Sequence, residues 1–226
     1  MRGFFITGTD TDAGKTWFML KFGEFLLKHG CKFHFLKPVE SGCWDNPNSP
    51  LDKQQKLFPK DAMLFSNLEN APLNKICKYM FKAYASPPRA AKMENKSIEL
   101  EEILDFIETN KYQDKNADED YYNLVEGCGG FYSPIANNKL TSDLAIALNL
   151  PVIIVVKNVL GCINHTLLSI QAVKKSGLNI KFIVLNDINE ETVLDNYKEL
   201  SQFTNIPIIR LGFNQDLDST LLNHIN

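Results

Sequence analysis

The chain has 226 residues, a formal net charge of -3, 44% hydrophobic residues and 23% charged residues. This composition suits a globular protein long enough to bury a core, and it excludes the basic surface typical of nucleic-acid binding. We find no apolar run near the roughly 20 residues of a membrane helix and no signal-peptide pattern. The five cysteines are scattered without a Cys-x-x-Cys pair, which favours a reducing, cytoplasmic setting over disulfides or a zinc site.

The first elements predicted are a strand over residues 2–7 and a helix from Lys15 to Lys28. Between them lies the segment Gly8-Thr9-Asp10-Thr11-Asp12-Ala13-Gly14-Lys15-Thr16. A glycine-containing turn that joins a strand to a helix and ends in Gly-Lys-Thr is typical of a phosphate-binding loop. It is a variant loop, because five residues separate Gly8 from Gly14 instead of four, and Thr9 stands at the usual first glycine. The alternative is an ordinary strand-to-helix turn.

The next part of the chain is predicted to alternate between strands, helices and loops. A second strand, Lys32 to Val39, leads into polar residues that would lie at the ligand crevice of an open α/β sheet. Residues 43–60 contain three prolines and predict a long, mobile surface loop. The further predictions are a helix from Asp61 to Asn67, a strand over 76–84, a turn at Ala85 to Arg89, a helix from Glu99 to Thr109 and a charged loop over 113–120.

The second half of the chain continues this alternation. A strand from Tyr121 to Val125 leads into Glu126 and a run of glycines, and the apolar stretch Pro151 to Lys157 predicts a buried parallel strand. A helix is predicted to open at Gly161 and end near Ser176. The remaining predictions are helices over 140–149, 190–203 and 216–223, and strands over Ile180 to Leu185 and Ile206 to Leu211.

Repeated strand–helix alternation predicts an α/β fold with a mostly parallel sheet and helices on both faces, of the P-loop NTPase type. We find no internal repeat, so a single domain is expected over residues 1–226. The carboxyl ends of parallel strands meet at one edge of a sheet. We therefore expect the variant loop to lie there beside Lys37, Ser41, Glu126 and Asn186.

The residue types at this edge suit phosphoryl transfer, which requires positive charge and Mg²⁺ around the moving group. Lys15 would reach the β- and γ-phosphates, while Thr16 and Glu126 would hold Mg²⁺. Asp61 is a further candidate ligand, with an N-cap of the following helix as an equal alternative. Lys37 is a candidate to steady a charged intermediate or the γ-phosphate, with a solvated strand-end lysine as the alternative.

Several separated motifs resemble those of one enzyme family. They are the variant loop, Lys37-Pro38-Val39-Glu40-Ser41-Gly42, Val125-Glu126-Gly127-Cys128-Gly129-Gly130, Leu160-Gly161-Cys162-Ile163-Asn164-His165 and Asn186-Asp187. In this order they resemble dethiobiotin synthetase and extend from the N-terminus to Asp187. The spaced loop and the six residues that end in His165 are the specific part of this resemblance.

The resemblance implies an ATP- and Mg²⁺-dependent ligase of biotin synthesis that acts on 7,8-diaminononanoate and CO₂. One amine would capture CO₂ as a carbamate, which would attack the γ-phosphate to give a carbamic–phosphoric anhydride. The second amine would then close the ureido ring. By similarity, Lys15 and Lys37 flank the reacting groups, and Thr11 and Ser41 are their hydrogen-bonding partners.

The same resemblance implies roles for the remaining candidates. The Mg²⁺ shell would be Thr16, Asp61 and Glu126, and Asn186 would contact the base. Nucleotide contacts would also come from Asp12, Ala13, Gly14, Lys15, Thr16 and Glu126, and substrate contacts from Ser41, Asp12 and Gly129. The family is a homodimer, so the partner subunit would hold the substrate's carboxylate through Gly161, Cys162, Ile163 and Asn164. Taken alone, these four residues favour a plain tight turn over an anion site.

The C-terminal part departs from the family pattern. Leu211-Gly212-Phe213-Asn214-Gln215 lacks the proline that usually packs beside the base, which predicts a loose hold on adenine or use of other nucleoside triphosphates. The main alternative is a variant-Walker ATPase of the partitioning type, which carries an extra lysine where this chain has Asp10 and Thr11. A cobyrinate-type synthetase would need a glutaminase domain, and a non-catalytic nucleotide-binding module would not need Lys37 or Glu126.

Overall fold

The computed structural model describes residues 1–45, 57–112, 121–190 and 195–225. Its strands are β1 (Gly3–Gly8), β2 (Lys32–Leu36), β3 (Val39–Ser41), β4 (Trp44–Asp45), β5 (Leu57–Phe58), β6 (Tyr79–Phe81), β7 (Tyr121–Gly130), β8 (Pro134–Ala136), β9 (Lys139–Leu140), β10 (Val152–Lys157), β11 (Ile180–Asn186) and β12 (Ile208–Leu211). Its helices are α1 (Lys15–Lys28), α2 (Lys60–Glu69), α3 (Leu73–Ile76), α4 (Pro87–Met93), α5 (Leu100–Asn110), α6 (Thr141–Leu148), α7 (Cys162–Lys175), α8 (Asn196–Leu200) and α9 (Leu222–Ile225). None of the helices in these ranges is both long and apolar enough to cross a membrane.

Six parallel strands form the central sheet, in the order β12-β11-β10-β1-β7-β2. β1 lies in the middle, paired with β10 on one side and with β7 on the other. Because the strands are parallel, their carboxyl ends all lie along the same edge of the sheet. The loop after β1 therefore opens beside the ends of β7 and β2.

Apolar side chains cover both faces of this sheet, because successive residues of a strand point in opposite directions. Phe4 and Ile6 pack with Phe22 of α1 in one core, which α2 also joins. Phe5, between them, packs into a second core with Ile103 of α5 and with residues of α6 and α7. The predicted α/β fold with helices on both faces is confirmed, while the single domain stays a prediction.

The second strand is shorter than predicted. β2 ends before Lys37 and does not reach Val39, because Pro38 has no backbone N–H to donate to a neighbouring strand. The N–H of Lys37 instead donates to the carbonyl of Ile76 at 2.9 Å, and β3 pairs with β6 in a separate two-stranded parallel sheet. The strand predicted over 76–84 is wrong at both ends, because only its central part, β6, is a strand.

The turn predicted at Ala85 to Arg89 is also wrong. Pro87 and Pro88 begin α4, since the fixed φ angle and the missing N–H of proline are tolerated in a first helical turn. β7 likewise continues to Gly130 and does not end at Val125, because its pairing with β1 resumes after a register shift.

The helices near the C-terminus begin later than predicted. The side chain of Asp195 caps α8, which ends at Leu200 and is the described helical part of the prediction over 190–203. Residues 191–194 of that prediction lie outside the described residues. The side chain of Asp218 accepts from Thr220 N at 2.8 Å, so a 3-10 turn at Ser219–Leu221 and then α9 replace the helix predicted over 216–223. Most of the loop predicted over 43–60 and all of the loop predicted over 113–120 lie outside the described residues.

Candidate active site

The loop between β1 and α1 has the backbone conformation that an anion-binding turn requires. Asp12 and Gly14 have φ angles of 58° and 90°, both in the left-handed region. Gly14 is also the N-cap of α1 and has no side chain to satisfy the first N–H groups of that helix. These N–H groups and the partial positive charge of the helix N-terminus are a suitable environment for phosphate oxygens.

Lys15 is buried at the start of α1 and lines the cavity that this loop borders. Its Nζ donates a long hydrogen bond, 3.3 Å, to the carbonyl of Asp10. Burial lowers the pKa of Lys15, the Glu126 carboxylate opposes this shift, and the Lys37 ammonium adds to it. The two lysines therefore interact electrostatically across a shared site.

Lys37 lies between two carboxylates. Its Nζ is 2.7 Å from Oε1 of Glu126 and 2.8 Å from Oδ2 of Asp61. Burial alone would lower the pKa of Lys37, but the Glu126 and Asp61 carboxylates outweigh it and hold the pKa well above its ordinary value. The ammonium is therefore charged at neutral pH and fixed in position, which excludes the solvated strand-end alternative.

Thr16 and the same two carboxylates form a set of oxygen atoms beside the loop. The Thr16 hydroxyl lies 3.2 and 3.3 Å from the two carboxylate oxygens of Glu126. Burial would raise the pKa of Asp61, but Lys37 and a hydrogen bond from Thr16 together bring the pKa below its ordinary value. The described residues contain no cluster of three or more His, Cys, Asp or Glu suited to a metal ion. Mg²⁺ does not require such a cluster, because it keeps several of its waters and needs only one or two carboxylates from the protein.

Asp61 does not cap the helix that follows it, so the N-cap alternative is wrong. Pro59 is the N-cap of α2, and Asp61 lies in the first turn with its side chain directed to Lys37. The N–H groups of Asp61 and Ala62 donate to the carboxylate of Glu40 instead. The sequence analysis did not predict Glu40 as a site residue. Its position, three residues after Lys37, was the one feature of the sequence that could have indicated it.

These groups surround a cavity of about 670 Å³, within the range of small-molecule sites. The sequence-predicted residues that line it are Thr11, Asp12, Gly14, Lys15, Thr16, Lys37, Ser41, Asp61, Glu126 and Gly129. The structure also brings Tyr84, Ser86 and Pro87 to the wall, which the sequence did not predict because the start of α4 was missed.

Asn186 lies behind the loop and is not part of the cavity wall. Its Nδ2 donates to the carbonyl of Ala13 at 3.2 Å. Its Oδ1 is buried without a hydrogen-bond partner among the residues that the structure describes. A buried carbonyl oxygen of this kind is an unused acceptor beside the nucleotide loop.

The segment at the start of α7 also lies apart from the cavity of its own chain. Gly161 is exposed with a φ angle of 88°, and Asn164 is exposed one turn later. Cys162 is buried, and Ile163 is half-buried against the core. Leu160 and Leu168, four positions before and after Asn164, are 88% and 56% exposed.

Comparison with known proteins adds family information to this geometry. The model of a family described as an AAA domain matches residues 2–218. The ATP-dependent dethiobiotin synthetase BioD of Vesicomyosocius okutanii subsp. Calyptogena okutanii (strain HA) is 39% identical over 221 residues, covering 96% of this chain and 91% of that protein. The ATP-dependent dethiobiotin synthetase BioD of Bacillus licheniformis is 31% identical over 232 residues, covering 100% of this chain and 92% of that protein.

Solved structures share the fold at low sequence identity. The ParA family ATPase from Chlorobium tepidum TLS has a TM-score of 0.50 and 16% sequence identity, with 100% of this chain and 89% of that chain covered. At this identity the similarity shows a common fold and carries no information on activity.

Replacing Gly14 with alanine tests the loop conformation. A Cβ there would lie 2.1 Å from Nδ2 of Asn186, in addition to the roughly 1–2 kcal/mol cost of a left-handed φ angle. We expect Gly14→Ala to weaken ATP binding by about tenfold or more, which corresponds to about 1.4 kcal/mol. Titration with a fluorescent ATP analogue measures this loss.

Gly177→Ala is the matched control, because Gly177 has a φ angle of 75° and no atom beyond its chain neighbours lies within 4 Å of the position that the alanine methyl group would take. We expect it to lower the free energy of unfolding in urea without affecting ATP binding. Equal ATP affinities for the two variants would contradict the role assigned to the loop conformation at Gly14.

Proposed function

The chain belongs to the dethiobiotin synthetase family, and we propose that it forms the ureido ring of dethiobiotin from 7,8-diaminononanoate and CO₂ with ATP. The resemblance predicted from the motifs is thereby confirmed, and with it an ATP-dependent ligase. The observation that carries the proposal for the reaction is the meeting of Lys15 and Lys37 at one cavity, beside the phosphate loop and the carboxylates of Asp61 and Glu126.

Three steps convert the diamine into the product. One amine nitrogen bonds to the carbon of CO₂ and loses a proton, which gives a carbamate anion. A carbamate oxygen bonds to the γ-phosphorus as the bond to the ADP oxygen breaks, and a carbamic–phosphoric anhydride results. The second amine bonds to the carbonyl carbon and loses a proton, and inorganic phosphate leaves. Because carbamate and ATP are both anionic, the protein must supply positive charge where they meet.

In this proposal the loop and Lys15 bind the triphosphate. The N–H groups of Ala13 and Gly14 in the loop, together with those in the first turn of α1, would bind the β- and γ-phosphates. Phosphate oxygens can replace the long hydrogen bond from Lys15 to Asp10, so the ammonium needs little rearrangement to reach them. Lys15 then offsets the negative charge that the transferred phosphoryl group brings to the cavity.

Lys37 is proposed to stabilise the carbamate and the γ-phosphate as they approach each other. Two carboxylates fix its ammonium before any substrate binds, so little reorganisation is needed during the reaction. The Glu126 and Asp61 carboxylates hold the pKa of Lys37 well above its ordinary value, so the ammonium is charged at neutral pH. Thr11, beside Lys15 in the cavity wall, is proposed to donate a hydrogen bond to the same oxygens.

Thr16, Asp61 and Glu126 are proposed to hold Mg²⁺. Their oxygens are the hard ligands that this ion prefers, and the hydroxyl of Thr16 already lies within hydrogen-bonding distance of Glu126. When bound, the ion neutralises charge on the β- and γ-phosphate oxygens. The protein's own part is to keep these three side chains together, one from β7 and one each from the first turns of α1 and α2.

Asp12, Ser41 and Gly129 are proposed to contact the diamine, since all three line the same cavity as the lysines. Ser41 is held by a hydrogen bond of 2.7 Å from its hydroxyl to the carbonyl of Ala85. Asn186 is proposed to contact the base, because its buried Oδ1 can accept a hydrogen bond from an exocyclic amino group.

We further propose a homodimer in which the start of α7 completes the partner's site. Gly161 to Asn164 lie away from the cavity of their own chain, and Leu160 and Leu168 leave an exposed apolar surface beside them. Burying that surface against a second copy would stabilise the dimer. The N–H groups at the start of α7 would then hold the carboxylate of the substrate.

The reaction is tested with purified protein, ATP, Mg²⁺, bicarbonate and 7,8-diaminononanoate. We expect phosphate release to depend on the diamine and to match dethiobiotin formation one to one, measured by a phosphate assay and mass spectrometry. Phosphate release that ignores the diamine would reject the ligase and favour a variant-Walker ATPase of the partitioning type.

Lys37→Ala tests the proposed second cation. We expect turnover to fall by about 10²-fold or more, because the variant lacks the charge that stabilises the transition state, while ATP affinity stays within about threefold of wild type. Steady-state kinetics and ATP titration measure the two effects. Lys28→Ala, at an exposed position, serves as the control, and a Lys37→Ala variant near the wild-type rate would remove Lys37 from the mechanism.

Asn164→Ala tests the proposed contribution of the partner subunit. We expect the KM for the diamine to rise about tenfold while the KM for ATP changes less than twofold, since the affected contact is with the substrate's carboxylate. Gln171→Ala, an exposed position two turns further along α7, is the control. Equal changes in both KM values would argue against a diamine site at this turn.

A further inference from the structure

The first turn of α2 borders the active site and has no cap from its own N-cap residue. Pro59 occupies that position and offers no side-chain acceptor. The first N–H groups of a helix have no partner within the helix. Two of them, on Asp61 and Ala62, donate to Oε1 and Oε2 of Glu40 at 3.0 and 2.9 Å. Glu40 therefore provides the cap from a different element of the fold.

Glu40 is held firmly enough to act as an anchor. It is 7% exposed, and β3, to which it belongs, pairs with β6. Lys37, three residues earlier, is fixed by the hydrogen bond from its N–H to the carbonyl of Ile76 at 2.9 Å. The segment from Lys37 to Glu40 is thus attached to the fold at both of its ends.

This segment holds Asp61 from two directions. The Lys37 ammonium lies 2.8 Å from the Asp61 carboxylate, and the Glu40 carboxylate accepts from the Asp61 backbone N–H. The side chain of Asp61 also interacts with Thr16, on α1. Any shift of the first turn of α2 would therefore change the distances from Asp61 to Lys37 and to Thr16 together.

We propose that Glu40 is a positioning residue for the reaction, which fixes the first turn of α2 so that Asp61 meets Lys37 and Thr16. The inference rests on the proposed function for the reaction that is affected. Glu40 acts through Asp61, because both of its carboxylate oxygens are engaged by α2. Loss of its two hydrogen bonds leaves the turn free to shift, and a displacement of about 1 Å at a reacting centre can lower a rate by roughly 10²-fold.

A double-mutant cycle on kcat tests this coupling. We expect Glu40→Ala to lower kcat by about tenfold or more in the otherwise wild-type chain, and by less than about twofold in an Asp61→Asn background. The KM for the diamine should change little, because Glu40 is not proposed to touch it. An equal fold-loss in both backgrounds would show that Glu40 does not act through Asp61, and would overturn the proposal.

Glu69→Ala is the matched control, since Glu69 also tethers α2 to the rest of the fold. It is the last residue of α2, and its carboxylate accepts from the N–H of Phe35 at 2.9 Å and pairs with His34. We expect both variants to lower the free energy of unfolding in urea, and only Glu40→Ala to lower kcat. A similar fall in kcat for Glu69→Ala would reduce the role of Glu40 to general stability and overturn the proposal.

Amide hydrogen exchange separates this inference from the proposed function. We expect the N–H groups of Asp61 and Ala62 to exchange about tenfold faster in Glu40→Ala than in wild type, whatever reaction the protein catalyses. Unchanged exchange would overturn the capping role, whereas absence of dethiobiotin from the wild-type reaction would overturn only the proposed function. If Asp61→Asn has no measurable turnover, the double-mutant cycle is measured on ATP affinity instead of kcat. If Glu40→Ala does not fold, it is replaced by Glu40→Gln, which keeps one acceptor oxygen.

Discussion

One buried ammonium held between two carboxylates is the interaction on which this site depends. Lys37 lies within 2.8 Å of both Glu126 and Asp61, and the side chains of Lys37 and Glu126 are 9% and 2% exposed. Removing a single such charge from water costs several kcal/mol, so each group requires the others to remain buried and ionised. The interaction joins β7 to α2 and to the segment after β2, and it leaves a fixed positive charge beside the phosphate loop.

The strand order explains why these groups meet although they are far apart in the sequence. β2, β7 and β1 are neighbours in the central sheet, and adjacent strands lie about 4.8 Å apart. Lys37 and Glu126 are separated by 89 positions, but Lys37 directly follows β2 and Glu126 lies within the neighbouring strand β7. Lys15 follows the loop after the third strand, β1. A parallel sheet therefore brings three polar segments to one edge although they are not adjacent in the sequence.

Much of this arrangement could be predicted from the sequence, because Lys15, Lys37 and Glu126 each follow or end an apolar run. The break at Pro38 and the helix that begins at Pro87 were missed, since proline is compatible with a strand end, a turn and a first helical turn. The geometry of Asp61 could not be predicted from local pattern, because its cap comes from Glu40 across the fold. The roles of Asn186 and of Gly161 to Asn164 follow from the family resemblance and stay predictions.

The central place of β1 in the sheet also bears on how the protein is made. Phe5 pairs with Val152, so the strand that carries the phosphate loop waits during synthesis for a partner translated much later. Contacts of such long range slow folding, and until they form, the apolar faces of β1 are open to aggregation and to chaperones on the ribosome. The pairing of β1 with β10 therefore completes the position of the phosphate loop in the sheet and buries apolar side chains of β1 in the same event.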